Sequence, residues 1–532
     1  MKVSRISTPA RKRGRSTSVP RRSPSPTLLR WWRRHTLRCR RSPTRRNRST
    51  GSTPTPSRTR CNRRSPDMRA EVFPLPTQTC EQRTAHALRE AAQAGERGGF
   101  VRLREAAALE QARAVDSQRE EGLQAGRLNG APLAHKDMFF RAGELSECGS
   151  RILAGHRASH TAIVLQRLDA AGATDLGALH MAEFAMSPTG FNAHLGHGRN
   201  AWSEGHVSGG SSSGSGIAVS RGLVAGALGS DTGGSVRIPA AVNGVTGIKP
   251  TQHAISMRGV MPLSPSLDCV GVLARTAQDA ASMLQAIWDA DSLDPHCLAT
   301  GKREFEGAIE RPLAPDDIIA VPAFGDDAPV SGEVRAAVSR MAEAFASCGA
   351  TIRKVDLPDL RETGALATLM LGAEATSIHA KWLRERRGDY GEQVLRRLER
   401  GLLYPATRYV DALRLRAPLM TQFVERYLGG AQALLLPALP YAVPTIEETL
   451  EGDASEIERR FGNFSYWTRG INYLGLPGMS VPAGKSENGM PVGVQLIGRA
   501  WSEDVLLRLA HQLQGNTDWH LPSILSHRPR VA

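Results

Sequence analysis

Apolar residues recur three and four positions apart through residues 83–125, and charged residues fill the positions between them. This spacing places the apolar side chains on one face of a helix and the charged side chains on the other. We therefore expect amphipathic helices in this region. Two groups of apolar positions carry the pattern: Ala85, Ala87, Leu88 and Ala91, then Val101, Leu103, Ala106, Leu109 and Ala112.

A second pattern, a helix that ends at glycine and is followed by a short apolar strand, repeats along the chain. Residues 162–171 have helical spacing, Gly172 ends the helix, and residues 174–179 predict a strand. Later elements of the same kind are a helix over 334–348 that ends at Gly349, a strand over 350–355 and a helix over 505–513.

Three more apolar runs predict strands: residues 132–137, 434–437 and 489–498. Helices that alternate with short strands are typical of an α/β sheet covered by helices. Residues 360–430 instead mix Leu, Met and Arg with little strand character, and we expect them to form a helical cap on the sheet. No linker rich in Pro, Gly and Ser divides residues 67–532, which predicts one large domain.

The charge of the chain is unevenly distributed. Of the net charge of +16 over 532 residues, residues 1–66 contribute +21, from 21 Lys and Arg and no acid, which leaves −5 for residues 67–532. The first segment is rich in Arg, Ser and Pro and poor in aliphatic residues. Because it cannot bury enough apolar surface to fold, we expect a disordered tail.

Two interpretations of this tail are open. Its charge fits an arm that binds nucleic acid or another anionic surface. Alternatively, the start of the protein is mis-assigned and translation begins at Met68. The abrupt change in composition just before this methionine favours the second interpretation.

Several classes of protein are disfavoured by composition. No run reaches about 18 apolar residues, so we expect no membrane-spanning segment. The seven cysteines are scattered and form no C-x-x-C pair, which predicts reduced thiols in a cytoplasmic protein. His194, His197 and His206 have no acidic partner at metal-ligand spacing, so we expect loop histidines, no metal and no cofactor.

Candidate chemistry is concentrated in two loops dense in glycine and serine, which flank the apolar run 217–228. Glycine in a packed interior costs conformational entropy, so it is kept where the backbone turns sharply or approaches a ligand. In the second loop, residues 232–235 (Thr-Gly-Gly-Ser) offer a hydroxyl and consecutive N–H groups that can converge on one anion. Taken alone, Gly-Gly-Ser is more typical of a flexible turn.

Lys136 lies in the apolar stretch 132–140. A free lysine, with a pKa near ~10.4, is almost entirely protonated at pH 7 and is a poor base, but burial lowers this pKa. Lys136 is therefore a candidate base for a serine nucleophile. Taken alone, a surface lysine beside Asp137 is the simpler interpretation.

Residues 210–214 also fit G-x-S-x-G, the nucleophile elbow of α/β-hydrolases, with Ser212 as the nucleophile and His511 as a late histidine. This hypothesis requires a strand just before Gly210, whereas residues 202–208 are polar and typical of a loop. It also leaves the second loop without a role.

From about Glu105 to Leu509 the chain resembles the amidase signature family of serine hydrolases. Lys136 and Ser211 are 75 residues apart and Ser211 and Ser235 are 24 apart, as the family pattern requires. The matching segments are GAPLAHKD (130–137), AGATDLG (171–177), EFA (183–185), GGSSSGS (209–215), GSDTGGSVRIP (229–239), GIKPT (247–251), LD (267–268), GLP (475–477) and PVGVQ (491–495).

The resemblance implies an α/β domain with a central mixed β-sheet and assigns roles within it. Ser235 corresponds to the nucleophile, Ser211, which has a cis peptide bond in the family, to the proton relay, and Lys136 to the general base. The backbone N–H groups that correspond to the oxyanion hole are those of Thr232, Gly233, Gly234 and Ser235. The residues that correspond to substrate contacts are Ala185, Met186 and Ser187.

Three positions depart from the family pattern: Ser213 stands where Gly is usual, His135 where Val or a similar residue is common, and His180 where Asn is frequent. None of them is a catalytic position, so the resemblance still implies an active enzyme. His180 borders the acyl site in relatives and is the departure that bears on the substrate pocket.

The function that the resemblance implies is hydrolysis of a linear carboxylic amide of a small molecule through a serine acyl-enzyme, with release of ammonia or an amine. One alternative is a glutamine-hydrolysing amidotransferase subunit that supplies ammonia to a partner. An alternative of another class is a nucleic-acid-binding protein that acts through its basic tail. The identity of the amide and the formation of a homo-oligomer are left open.

Overall fold

The computed structural model describes residues 78–123 and 126–521. These residues belong to one compact unit. The predicted tail, residues 1–66, and the alternative start at Met68 lie outside the described residues, and so does the nucleic-acid hypothesis that depends on the tail. The domain boundary at residue 67 stays a prediction.

The described residues form a mixed sheet of eleven strands. In chain order they are β1 Phe100–Leu103, β2 Pro132–Lys136, β3 Thr174–Leu179, β4 Gly226–Ser230, β5 Thr246–Lys249, β6 Val270–Ala274, β7 Ile318–Pro322, β8 Thr351–Val355, β9 Ala433–Pro437, β10 Gly478–Lys485 and β11 Pro491–Ile497. Across the sheet the order is β1-β3-β2-β4-β6-β5-β10-β11-β9-β7-β8. β2 is parallel to β3 and β4, β7 is parallel to β8 and β9, and the other neighbours are antiparallel.

The described residues also form fifteen α-helices. They are α1 Cys80–Ala94, α2 Glu105–Glu120, α3 Ile163–Ala170, α4 Ser213–Ser220, α5 Arg237–Asn243, α6 Ala277–Ile287, α7 Glu306–Ile309, α8 Gly332–Ser347, α9 Arg361–Glu385, α10 Glu392–Gly401, α11 Ala406–Phe423, α12 Ile446–Leu450, α13 Ala454–Phe464, α14 Tyr466–Leu474 and α15 Glu503–Gln514. The predicted fold class, a large α/β domain with a central mixed sheet and helices, is confirmed.

Most of the elements predicted from periodicity are present. The repeated pattern of helix, glycine and strand corresponds to α3 with β3 and to α8 with β8, and the remaining predicted strands are β2, β9 and β11. Residues 360–430 contain α9, α10, α11 and a π-helix over Val424–Leu428, so their helical character is confirmed. Their role as a cap stays a prediction.

The helical pattern was wrong at Val101 and Leu103, which lie in β1. The chain leaves α1 through a 3-10 turn and reaches Gly99, whose φ of 73° is left-handed and ends the helical course. The four residues that follow pair with β3 at the edge of the sheet. Four residues are too few to show the alternation of apolar and polar positions that is typical of a strand. The helical pattern on either side therefore continued across them.

The Ser-rich first loop was also not a loop throughout, because α4 begins within it at Ser213. Every residue of α4 is buried. Its small residues permit this close packing: a Cβ on Gly214 would lie 2.3 Å from the carbonyl oxygen of Gly99 and 2.5 Å from the backbone nitrogen of His180. Some of the glycine and serine in this segment therefore serves helix packing rather than chemistry.

The parallel pairing of β2 with β4 positions the candidate site. In this register Ala134 lies opposite Ala227 and His135 lies opposite Leu228. Because the carboxyl ends of parallel strands meet at one edge of a sheet, Lys136 at the end of β2 and Ser230 at the end of β4 emerge together.

Helix α5 begins two residues after Ser235 and packs closely on the sheet. A Cβ on Gly493 in β11 would lie 2.4 Å from the Cβ of Ala241, and a Cβ on Gly247 in β5 would lie 2.6 Å from the Cβ of Ala240. Glycine at these two strand positions therefore lets the helix approach the sheet.

Within residues 78–123 and 126–521, no helix combines the length and the apolar character needed to cross a membrane. The cysteines of this region, Cys80, Cys148, Cys269, Cys297 and Cys348, are free thiols.

We expect Gly493→Ala to lower the free energy of unfolding by about 1–3 kcal/mol, because the added methyl group has no space beneath α5. Urea denaturation measures the change. In the control variant Gly332→Ala, the methyl group is added at the start of α8, where no described atom lies within 4 Å. Its stability should be unchanged or slightly raised. An equal loss in both variants would contradict the packing argument.

Candidate active site

Lys136 is the last residue of β2, and 0% of its surface is exposed. Its Nζ donates to Ser211 Oγ at 2.7 Å and to Ser230 Oγ at 2.8 Å. The fold thus brings together a lysine and a serine that are 75 residues apart in the chain. The interpretation of Lys136 as a surface lysine is wrong, and its neighbour Asp137 forms an ion pair with Arg102.

Burial lowers the pKa of Lys136 to about 7, because water no longer stabilises the ammonium form. The negative charges of Asp268 and Asp231 and the thiol of Cys148 act in the opposite direction, but burial outweighs them. Near neutral pH a substantial fraction of this lysine is therefore a neutral amine, which can accept a proton.

Ser211 is held in place by its backbone. The Gly210–Ser211 peptide bond is cis. The N–H of Gly210 donates to the carbonyl of Pro188 at 2.8 Å, and the carbonyl of Ser211 accepts from the N–H of Ala182 at 3.2 Å. A Cβ on Gly210 would lie 2.3 Å from the carbonyl oxygen of Ser187, so only glycine fits here.

The second loop is organised by the buried carboxylate of Asp231. It accepts from the N–H groups of Gly234 at 2.8 Å and Val236 at 3.2 Å, and from Nε and Nη2 of Arg237, both at 3.1 Å. Burial alone would raise the pKa of the Asp231 carboxyl, but the adjacent guanidinium holds it well below its usual range. The turn that contains Ser235 is therefore wrapped around a carboxylate that stays ionised.

Helix α14 and the loop before β6 hold the same turn from outside. Thr468 Oγ1 donates to the carbonyl of Gly233 at 2.7 Å, and Asn472 Nδ2 donates to the Asp231 carboxylate at 2.8 Å. Thr232 Oγ1 donates to Asp268 Oδ1 at 2.5 Å. Burial raises the pKa of Asp268 to about 6, against the hydrogen bonds that favour its ionised form.

Ser235 lies next to the Ser211 loop, because the N–H of Ser212 donates to the Ser235 carbonyl at 3.3 Å. Unlike Ser211, which is fully buried, Ser235 is partly exposed. Its role as nucleophile stays a prediction. Of the four N–H groups that the resemblance assigns to the oxyanion hole, that of Gly234 donates to Asp231, which leaves those of Thr232, Gly233 and Ser235.

The alternative nucleophile Ser212 is poorly placed for attack. It is fully buried, and its hydroxyl donates to the carbonyl of Ser230 at 3.3 Å. Residues 201–212 contain no strand, so the G-x-S-x-G segment does not have the strand–turn–helix setting of a nucleophile elbow.

The segment assigned to substrate contact packs directly on the Ser211 loop. The carbonyl oxygen of Ser187 packs against Gly210. Ala185 has a left-handed φ of 61°, and the carbonyl of Met186 accepts from Arg397 Nη1 at 2.5 Å. All three side chains are buried. Their contact with substrate stays a prediction.

The three departures from the family pattern fit into the fold. His135 Nδ1 lies 3.1 Å from Asp175 Oδ1, and His180 Nε2 lies 3.2 Å from the carbonyl of Gly196. Burial lowers the pKa of His180 to about 4, so its imidazole is neutral at physiological pH. Ser213 begins α4.

Four residues of this site had no role in the sequence-based prediction: Ser230, Asp231, Arg237 and Asp268. All four lie inside segments that match the family, with Ser230, Asp231 and Arg237 in GSDTGGSVRIP and Asp268 in the Leu-Asp pair. Their position in the motifs was the available signal. Asp231 and Arg237 are only six residues apart, but other partners, such as Lys136 for Ser230 and Gln495 for Arg237, lie in distant segments that sequence spacing does not reveal.

Two of the three loop histidines have polar partners, and the third, His197, packs against the ring of Phe191. His194 Nε2 lies 3.0 Å from Glu183 Oε1, and His206 Nδ1 lies 2.9 Å from Ser203 Oγ. Among the residues that the structure describes, no group of three His, Cys, Asp or Glu side chains is arranged to hold a metal ion.

Comparison with known proteins matches residues 82–507 to the Amidase family. Over 447 residues the chain is 36% identical to the A subunit of the glutamyl-tRNA(Gln) amidotransferase of Azotobacter vinelandii. This match covers 79% of this chain and 90% of that protein.

Solved structures agree with this match. One of them comes from work on a vestigial protein complex and the evolutionary origins of an s-triazine catabolic enzyme. It has a TM-score of 0.75 and is 31% identical in sequence, and the match covers 82% of this chain and 95% of that chain. The native peptide amidase of Stenotrophomonas maltophilia has a TM-score of 0.68 and is 27% identical in sequence. This match covers 82% of this chain and 93% of that chain. The chain belongs to the Amidase family, that of the amidase signature enzymes, which act on carbon–nitrogen bonds.

Proposed function

We propose that this protein hydrolyses a carboxylic amide of a small molecule through an acyl-enzyme on Ser235. The observation that carries the proposal is the buried Lys136, which lies within hydrogen-bond distance of Ser211 and has a pKa lowered to about 7. A buried lysine without an ion-pair partner is costly, and such perturbed groups concentrate at functional sites.

In the first step Ser235 Oγ attacks the amide carbonyl carbon and forms a new carbon–oxygen bond. Its proton passes to Ser211 Oγ, and the proton of Ser211 passes to the neutral Nζ of Lys136. The carbonyl oxygen becomes an oxyanion, which the N–H groups of Thr232, Gly233 and Ser235 stabilise in this proposal.

The tetrahedral intermediate then collapses. The carbonyl re-forms, the carbon–nitrogen bond breaks, and the proton on Lys136 returns through Ser211 to the leaving nitrogen, which departs as ammonia or an amine. Water repeats the sequence on the acyl-enzyme and releases a carboxylic acid. Each proton that the lysine accepts is given back, so no net charge accumulates in the buried site.

Three buried residues border the Ser211 loop. Ala185, Met186 and Ser187 pack on the Ser211 loop and are proposed to contact the acyl group.

The described cysteines are free thiols, and we propose a reducing compartment, the cytoplasm, as the place of action.

A second candidate function is supported by the relatives. The amidotransferase protein of Azotobacter vinelandii aligns over 90% of its own length. A subunit of this kind would hydrolyse glutamine by the same chemistry and supply the ammonia to a partner protein. The two functions share every catalytic step above and differ in the amide and in the fate of ammonia.

Ser235→Ala should reduce turnover of any amide by about 10⁴-fold or more, as loss of a serine nucleophile does in other hydrolases. Ser212→Ala removes one hydrogen bond of a buried hydroxyl and should reduce the rate much less. Steady-state release of ammonia or amine measures both variants, and thermal melting confirms that both are folded. The reverse order would support the nucleophile elbow instead.

The rate should rise with pH through about 7, because only neutral Lys136 accepts a proton and a group with a pKa of about 7 becomes neutral as pH increases through that value. Below pH 7, kcat/KM should fall about tenfold per pH unit, and above pH 8 it should level off. The profile must be recorded under conditions where the chemical step limits the rate. A flat profile between pH 6 and 10 would argue against Lys136 as the base.

The two candidate functions predict different behaviour with glutamine. As a stand-alone hydrolase, the isolated chain should release ammonia from several aliphatic or aromatic amides at a rate that an added protein does not change. As an amidotransferase subunit, it should hydrolyse glutamine strongly only with a partner protein. An ammonia assay over a panel of amides and glutamine, with and without the other purified subunits of an amidotransferase, distinguishes them.

A further inference from the structure

A cavity of about 590 Å³ reaches Arg469 of α14, the helix that contacts the turn containing Ser235. It is lined by residues of α9 and α14, by the segment before α8 and by Tyr441. Its charged lining residues are Arg361 and Arg469, and none of the lining residues is an Asp or a Glu. Because Arg361 is paired with Asp359, the uncompensated positive charge at the cavity is that of Arg469, which suits an anion.

Arg469 connects this cavity to the turn that contains Ser235. A Cβ on Gly233 would lie 3.7 Å from Arg469 Cγ, and a Cβ on Gly364 would lie 3.7 Å from Arg469 Nε. The side chain thus runs from the proposed oxyanion turn to the first turn of α9. Its neighbour Thr468 holds the carbonyl of Gly233 at 2.7 Å, which fixes the position of α14 against that turn.

The hydrogen-bonding capacity of this guanidinium is largely unused. Nη2 donates to the carbonyl of Gly462 at 3.2 Å, whereas Nε is buried and has no partner among the described residues. Arg361 pairs with Asp359, but no carboxylate of the described chain forms an ion pair with Arg469. Arg469 as a whole is partly buried. A guanidinium has five N–H donors, and even partial burial of a charge without a counter-ion is unfavourable, so this arrangement is typical of a site completed by a ligand.

Other groups at the cavity fit the same conclusion. The hydroxyl of Ser331, on the opposite side, is also buried without a partner among the described residues. Burial raises the pKa of Tyr441 to about 12, so its hydroxyl stays protonated and can donate.

We propose that Arg469 binds a carboxylate carried by the amide substrate, so that the preferred substrates are amides of small dicarboxylic acids or other amides bearing a carboxylate. This inference rests on the proposed function. Planar guanidinium and carboxylate groups match in a two-point hydrogen-bonded pair. A neutral amide would leave the partly buried guanidinium without a counter-ion, which disfavours its binding.

The test compares matched primary amides: succinamate with butanamide, glutaramate with pentanamide, and adipamate with hexanamide. In each pair a carboxylate replaces a methyl group at the same chain length. For at least one pair, kcat/KM of the intact protein should be about 10- to 100-fold higher for the carboxylate-bearing amide, the range for one hydrogen-bonded charged contact.

Arg469→Met should abolish this preference, and Arg469→Lys, which keeps the charge but not the planar fork, should retain part of it. Arg459→Met is the control, because Arg459 is an exposed arginine of the neighbouring helix α13, with 65% of its side chain accessible. This control should keep the full preference. A merely structural role of Arg469 would lower the rates with both members of a pair and leave their ratio unchanged.

A binding measurement separates this proposal from the proposed function. In Ser235→Ala, calorimetry should detect glutarate binding that is at least tenfold tighter than pentanoate binding and is weakened in Ser235→Ala/Arg469→Met. Binding without turnover of any amide would overturn the hydrolase proposal alone. Equal kcat/KM within every pair in the intact protein, or equal binding of glutarate and pentanoate, would overturn the assignment of Arg469.

Discussion

The buried ion pair between Asp231 and Arg237 is the interaction on which the active-site architecture depends. Arg237 also donates to Gln495 of β11 at 2.9 Å and to the Thr468 carbonyl of α14 at 3.1 Å, so one guanidinium joins the second loop, the sheet and a covering helix. The carboxylate in turn gathers the N–H groups that shape the turn around Ser235. A buried pair is tolerated only when its remaining donors and acceptors are satisfied, and here they are shared among three elements.

The same compact environment explains the chemistry of Lys136. The strand pairing and the burial that place this lysine against Ser211 also remove the water that would keep it protonated. The carboxylates of Asp231 and Asp268 limit the shift, so the pKa is poised near 7 rather than lower. The close packing that stabilises the fold therefore also lowers the pKa of Lys136, because it removes water from around the ammonium group.

Several elements were accessible from the sequence because local patterns determine them. β2, β3 and α3 follow from apolar periodicity and a glycine at the helix end, and the catalytic candidates follow from recognised motifs. β1 was missed because four residues carry too little periodicity, and α4 was missed because its glycine and serine residues are atypical of a helix and are explained only by the backbone of Gly99 packed against Gly214.

By itself, the sequence determined the family, the alternation of helices and strands, and the residue types available for catalysis, since these depend on neighbours in the chain. The tertiary structure alone decided which charges are paired. Arg237 is neutralised by Asp231, whereas Arg469 faces a cavity without a carboxylate among the described residues. Both are arginines of short helices, Arg237 at the start of α5 and Arg469 within α14. Arg237 contacts Asp231, six residues away, and Gln495, 258 residues away, whereas Arg469 lies against Gly233 and Gly364 of distant segments. The packing of the whole fold sets these contacts, and the free energy of a charge inside the protein depends on them and not on local sequence alone.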